Sequence, residues 1–150
     1  MAIIGAILGD IAGSQYEFPS KRPTKLDWKY CGLFTDKCNF TDDTVMTLAA
    51  KSAIKNNKSF EESYRKFGRK YQNVGYGEMF DTWLFHDDEK AYNSFGNGSA
   101  MRCSYIGEHF NSGKEVGKWA IKSAECTHNH PEGIKGAVTT AMCVYMARTG

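Results

Sequence analysis

Phe40-Thr41-Asp42-Asp43-Thr44-Val45-Met46-Thr47-Leu48-Ala49-Ala50 is the stretch on which the reading of the fold turns. A hydroxyl and two adjacent carboxylates precede Val45, Met46, Leu48, Ala49 and Ala53, whose three- and four-residue steps give one apolar face, so a helix is predicted to begin at the acids. Thr41 is suited to cap that helix, and Asp42 and Asp43 complement the positive end of its dipole. The same residues make a hard, all-oxygen set of the type that Mg²⁺ or Ca²⁺ prefers. On this stretch alone both readings, capping and metal binding, stay open.

Helical signals continue in both directions. Toward the N-terminus, Ile3, Ile4, Ile7, Leu8 and Ile11 keep the same period up to about Phe18, with Gly5, Gly9 and Gly13 at every fourth position. Each glycine costs a helix about 1 kcal/mol relative to alanine, so their repetition predicts a buried helix with a smooth face against which another backbone lies. Asp10, Ser14 and Glu17 share one stripe of it, either a polar face turned to water or carboxylates lining a site, where a buried acid needs a partner. Residues 19–39, with two prolines and several lysines, read as an irregular connection.

Toward the C-terminus, Ser59-Phe60-Glu61-Glu62 is a capping box opening a helix whose aromatic stripe, Phe60, Tyr64, Phe67 and Tyr71, is assigned to the core. A turn at Gly75-Tyr76-Gly77 precedes a short helix carrying Met79, Phe80, Trp83 and Leu84, and Asp87-Asp88-Glu89 reads as a solvated face. Ser112 and Glu115 form another capping box, and Pro131 suits the first turn of a last helix carrying Ile134, Ala137, Val138 and Ala141. No segment alternates as a half-buried strand does and no internal repeat occurs, so the fold is expected to be all-α in one domain, residues 1–150.

Two further stretches carry polar chemistry. In Ser94-Phe95-Gly96-Asn97-Gly98-Ser99-Ala100-Met101-Arg102, the glycines and asparagine permit positive φ and leave amides exposed for a phosphate, although a tight interhelical turn fits equally well. Thr127-His128-Asn129-His130 pairs two histidines with no thiolate or third histidine at ligand spacing, which favours a loop or substrate contact over zinc. A formal charge of +2, from 19 basic and 17 acidic side chains, gives no nucleic-acid groove. Five cysteines without CxxC spacing read as reduced, buried thiols. The apolar N-terminus is interrupted by Asp10 and lacks a basic region, so neither a leader nor a membrane span is expected, and a cytoplasmic location is.

Taken together, Gly5-x-x-x-Gly9-Asp10-x-x-Gly13-Ser14-x-Tyr16-Glu17, Thr41-Asp42-Asp43-Thr44, Gly96-Asn97-Gly98-Ser99-Ala100-Met101-Arg102 and His128-x-His130-Pro131 resemble, in order and spacing, the ADP-ribosylglycohydrolase family of the dinitrogenase-reductase-activating glycohydrolase type. The resemblance implies a compact, orthogonal multi-helix bundle and two Mg²⁺ ions, or Mn²⁺ in some members. It also implies hydrolysis of the bond joining ADP-ribose to a protein side chain or a small acceptor. Thr41, Asp42 and Asp43 match the family's first metal ligands, and Glu17, Asp42 and Asp43 its catalytic acids, with Glu17 as a candidate general base. Asp10, Phe95, Gly96, Asn97, Gly98, Ser99 and His128 match substrate-binding positions, Phe95 as an adenosine-stacking ring.

Members of the family are about twice as long and carry a later Asp-x-Asp-Thr-type motif, whereas no Asp follows Asp88 in this chain. The match is therefore to the N-terminal half, and the fold is expected to be a truncated form of the family's. A non-catalytic ADP-ribose-binding or inhibitory protein is the alternative to a hydrolase. Apolar surface normally covered by the second half leads to an expectation of self-association or of a partner chain.

Overall fold

A computed structural model describes residues 2–17 and 32–150. Seven α-helices and no strand occur among them: α1 Ala2–Gly13, α2 Asp42–Lys55, α3 Phe60–Lys70, α4 Glu78–Phe85, α5 Ser104–His109, α6 Gly113–Glu125 and α7 Pro131–Thr149. The all-α expectation holds. Helix starts fall where local chemistry puts them. Thr41 Oγ1 accepts the Asp43 amide at 3.3 Å, Ser59 Oγ that of Glu62 at 3.0 Å and Ser112 Oγ that of Glu115 at 3.3 Å. Pro131 opens α7, where its missing N–H is no loss, and His130 caps it by accepting the Glu132 amide at 3.1 Å.

The core forms where α2 lays Val45, Met46, Ala49, Ala50 and Ala53 against Phe60 and Tyr64 of α3, with Phe80, Trp83 and Leu84 of α4 in the same cluster. A second set of contacts joins α7 to α5 and α6. A Cβ at Gly107 would fall 2.3 Å from the Ala141 carbonyl oxygen and 2.7 Å from Val144 Cβ, so only glycine lets α5 lie this close to α7. Of the α3 aromatic stripe, Phe60 and Tyr64 are buried and Phe67 is partly so, but Tyr71 is 38% exposed. Tyr71 is the C-terminal cap, past the last helical residue, and the change in backbone direction there carries its ring off the stripe.

The expectation for α1 is overturned. The helix stops at Gly13 and passes into one 3-10 turn, Ser14–Tyr16, while Phe18 lies outside the described residues. Ile3 is its one buried residue, Ile4 is 52% and Leu8 47% exposed, and a Cβ on Gly5, Gly9 or Gly13 would meet nothing within 4 Å. Among the described residues no backbone lies against these glycines. Apolar residues occur all round α1, so periodicity could not show which face α2 and α5 cover. The described cysteines, Cys38, Cys103, Cys126 and Cys143, are free thiols, but only Cys103 is buried and Cys143 is exposed, contrary to expectation. No described helix is long and apolar enough to cross a membrane.

Candidate functional site

The site begins with the amides at the start of α2. A helix N-terminus leaves four N–H groups without intrahelical partners. Here they are taken up by side chains and a loop. Asp10, reaching from α1, accepts the Thr41 amide at 2.9 Å and the Thr44 amide at 3.1 Å on Oδ2. It also takes the two hydroxyls, Thr41 Oγ1 at 2.6 Å on Oδ1 and Thr44 Oγ1 at 2.5 Å on Oδ2. The Asp42 amide donates to the Val74 carbonyl at 2.9 Å, and the Asp43 amide to Thr41 Oγ1. With these amides committed, what the first turn offers to its surroundings is the carboxylates of Asp42 and Asp43.

Both carboxylates line a cavity of about 450 Å³, together with Glu17, and the three repel one another. Burial, followed by the charges of Asp43, Glu17 and Asp10, pushes Asp42 up to about 7 despite its favourable backbone hydrogen bond. Burial, then Asp10 and Glu17, raises Asp43 to about 6. A cation beside them would relieve this repulsion. Gly75, at φ 102°, turns the chain next to the acids, with the position its Cβ would take 3.6 Å from Asp42 Oδ1.

Gly96, Asn97, Gly98 and His128 line the same cavity. The loop does not use the conformation expected of it. None of its residues has positive φ; the left-handed residue is Asn93, at φ 54°, just before it. Nor are all its amides exposed, because Ser94 Oγ accepts the Gly96 N–H at 3.1 Å. Gly98 is required for a different reason: a Cβ there would lie 2.9 Å from both Cε1 and Nε2 of His128. The loop is tied to the segment before α7 by Tyr92 N–H to the Thr127 carbonyl at 3.3 Å, Asn93 N–H to Asn129 Oδ1 at 2.7 Å and Ser99 Oγ to the Gly133 carbonyl at 2.7 Å.

Of the residues singled out in the sequence, Glu17, Asp42, Asp43, Gly96, Asn97, Gly98 and His128 therefore meet at one cavity. Thr41 and Asp10 stand behind it, holding α2. Ser99 is fully buried beneath the loop, and Phe95 is 72% exposed with its ring 5.3 Å from that of His130. Sequence reading passed over Tyr92, Met101, Glu78 and Arg102 as lining residues. Arg102 stood within a quoted motif, but a lone arginine ahead of a helix reads as solvated. In fact it is fully buried, its guanidinium 4.0 Å from the centre of the Tyr64 ring, with Nη2 donating to the Ser123 carbonyl at 2.7 Å and to Thr127 Oγ1 at 2.8 Å.

The donor set suits a hard divalent cation. Among the described residues no three carboxylate, imidazole or thiolate groups converge to cage a metal unaided. Mg²⁺, however, commonly keeps several waters and is held through one or two carboxylates, a requirement that Asp42 and Asp43 could meet. Thr41 Oγ1 gives its proton to Asp10 and one lone pair to the Asp43 amide, so one lone pair remains.

The chain is 28% identical to the ADP-ribosylhydrolase ARH3 of Homo sapiens over 178 residues, covering 99% of this chain and 49% of that protein. It is 29% identical to that of Gallus gallus, covering 99% and 49%, and 25% identical to that of Danio rerio, covering 99% and 47%. The chain thus spans about half the length of the curated relatives it matches. Residues 1–150 match the family described as ADP-ribosylglycohydrolase, and the chain belongs to that family.

Proposed function

We propose that this chain carries the metal- and nucleotide-facing part of a hydrolase that releases ADP-ribose from a modified protein side chain or a small acceptor. The observation that carries the reading is the meeting of Asp42, Asp43 and Glu17 with the Gly96–Gly98 loop and His128 at one cavity. Family membership and the similarity to proteins named ADP-ribosylhydrolase support it. Asp42, Asp43 and Thr41 would hold Mg²⁺ or Mn²⁺, which when bound supplies Lewis-acid polarisation of ribose and water oxygens. Asn97 and Gly98 open a 3-10 turn, and their amides, with no partner inside the turn, suit a diphosphate. The exposed ring of Phe95 suits an adenine face. Glu17 lines the same cavity and takes the role of general base toward a water.

The test is release of free ADP-ribose from a pool of modified substrates, with Mg²⁺ and with chelator, beside the Asp42→Ala, Asp43→Ala double variant. Metal-dependent release lost in the variant supports the reading, and a Glu17→Gln protein with full turnover removes the general base. A second reading, ADP-ribose binding without hydrolysis, is favoured by the lack of a three-ligand cage among the described residues. Nucleotide binding that persists in chelator, without release, selects it.

A further inference from the structure

Behind His128 lies a line of polar contacts that the proposed chemistry does not use. Arg102 Nη2 donates to Thr127 Oγ1 at 2.8 Å, and Thr127 Oγ1 stands 2.8 Å from Nδ1 of His128. All three side chains are buried: Arg102 and Thr127 fully, His128 to 4% exposure. Among the described residues Nε2 of His128 has no hydrogen-bond partner, and it stands over Gly98 at the cavity wall.

The proton positions follow from what each group can do. Arginine only donates, so Thr127 must accept from it. The hydroxyl has one proton, and Nδ1 is an acceptor within reach of it. The phenol of Tyr92, which also interacts with the Thr127 side chain, competes for that proton. The buried guanidinium decides between them, because a lone pair on Nδ1 pointing toward a cation is favourable and an N–H pointing toward it is not. Burial and, secondarily, the Arg102 charge also push His128 down to about 4, which keeps the ring neutral at physiological pH.

We propose that Arg102 and Thr127 are positioning residues that lock His128 as a hydrogen-bond donor, with its proton on Nε2 and turned toward an acceptor oxygen of the ligand in the cavity. On the nucleotide reading above, on which this part rests, that acceptor is a phosphate oxygen. A ring so locked donates to the ligand and does not serve as a base toward it.

The test uses ¹⁵N-histidine labelling of the full chain, with long-range ¹H–¹⁵N spectra at pH 7 for the wild type, Thr127→Ser and Thr127→Val. A His128→Gln protein assigns the signal, and circular dichroism checks each fold. The wild type and Thr127→Ser are expected to show a protonated Nε2 and a bare Nδ1, whereas Thr127→Val mixes the two tautomers. Titration with ADP as the probe is expected to lose about tenfold in affinity in Thr127→Val and to stay within about twofold in Thr127→Ser. A wild-type signal with the proton on Nδ1, or a Thr127→Val protein with the tautomer unchanged, overturns the lock. The expected tautomers with no ADP binding by any of the proteins support the lock and overturn the nucleotide reading instead.

Discussion

Replacing Asp10 with asparagine tests whether this α1 side chain organises the first turn of α2. The carboxylate accepts four hydrogen bonds, from the amides and hydroxyls of Thr41 and Thr44, between 2.5 and 3.1 Å. An asparagine oxygen placed at Oδ2 keeps three of them in neutral form, and the amide nitrogen faces Thr41 Oγ1, where it reverses or loses the fourth. Charge-assisted bonds contribute about 1 kcal/mol more than neutral ones, so weakening three costs about 3 kcal/mol. Loss of a negative charge at a helix N-terminus adds about 0.5 kcal/mol. Against this, Asp10 is one of the charges that raise Asp42 and Asp43, and its removal returns about 1 kcal/mol of repulsion. The net expectation is a loss of about 2–3 kcal/mol, a fall in Tm of about 5–10 °C for a domain of this size. Urea unfolding by circular dichroism at pH 7 in chelator should show a lower midpoint with an unchanged slope. An Asp10→Asn protein within about 0.5 kcal/mol of wild type would refute the argument that Asp10 holds α2.

Other substitutions separate glycines by environment. Gly9→Ala, which meets nothing within 4 Å, is expected to stabilise the chain by up to about 1 kcal/mol, while Gly107→Ala, driven against the Ala141 carbonyl, destabilises it by about 3 kcal/mol or more; thermal melts of the two read the contrast. Gly98→Ala presses on the buried His128 ring and is expected to cost about 1–3 kcal/mol and to weaken ADP-ribose binding measured by calorimetry. The depressed His128 makes a contribution to stability that is present above its ordinary pKa of 6.5 and is lost as pH falls toward about 4, at most about 3 kcal/mol. Asp42 and Asp43, raised, act in the opposite sense, so the readout is the difference between wild type and His128→Gln in urea melts at pH 7.5 and 4.5; a difference independent of pH refutes the burial argument. In chelator at pH 8, Asp42→Asn is expected to unfold at higher urea than wild type because the repulsion with Asp43 and Glu17 is gone, and Mg²⁺ should stabilise wild type but not the variant.

What the sequence alone determined is what acts within a turn of the chain. Thr41, Ser59, Ser112 and Pro131 mark helix starts because a cap or a first-turn proline involves residues no more than three positions apart, and the three- and four-residue periods that follow them gave the all-α class. Seven residues of the quoted motifs, Glu17, Asp42, Asp43, Gly96, Asn97, Gly98 and His128, line one cavity; it was the family resemblance that grouped them, because no local rule links stretches so far apart in the chain. What only the tertiary structure decided is which distant group completes each one. Asp10 holds a helix that begins 32 residues later, Arg102 is buried against Tyr64 and Thr127, and Gly98 is glycine because of a histidine 30 residues away. The glycines of α1 and Gly107 look alike in the sequence, yet among the described residues only the latter meets a neighbouring backbone. Local rules fix where helices start and which faces are apolar; burial and hydrogen-bond partners depend on which faces meet, and that is settled by packing across the whole chain.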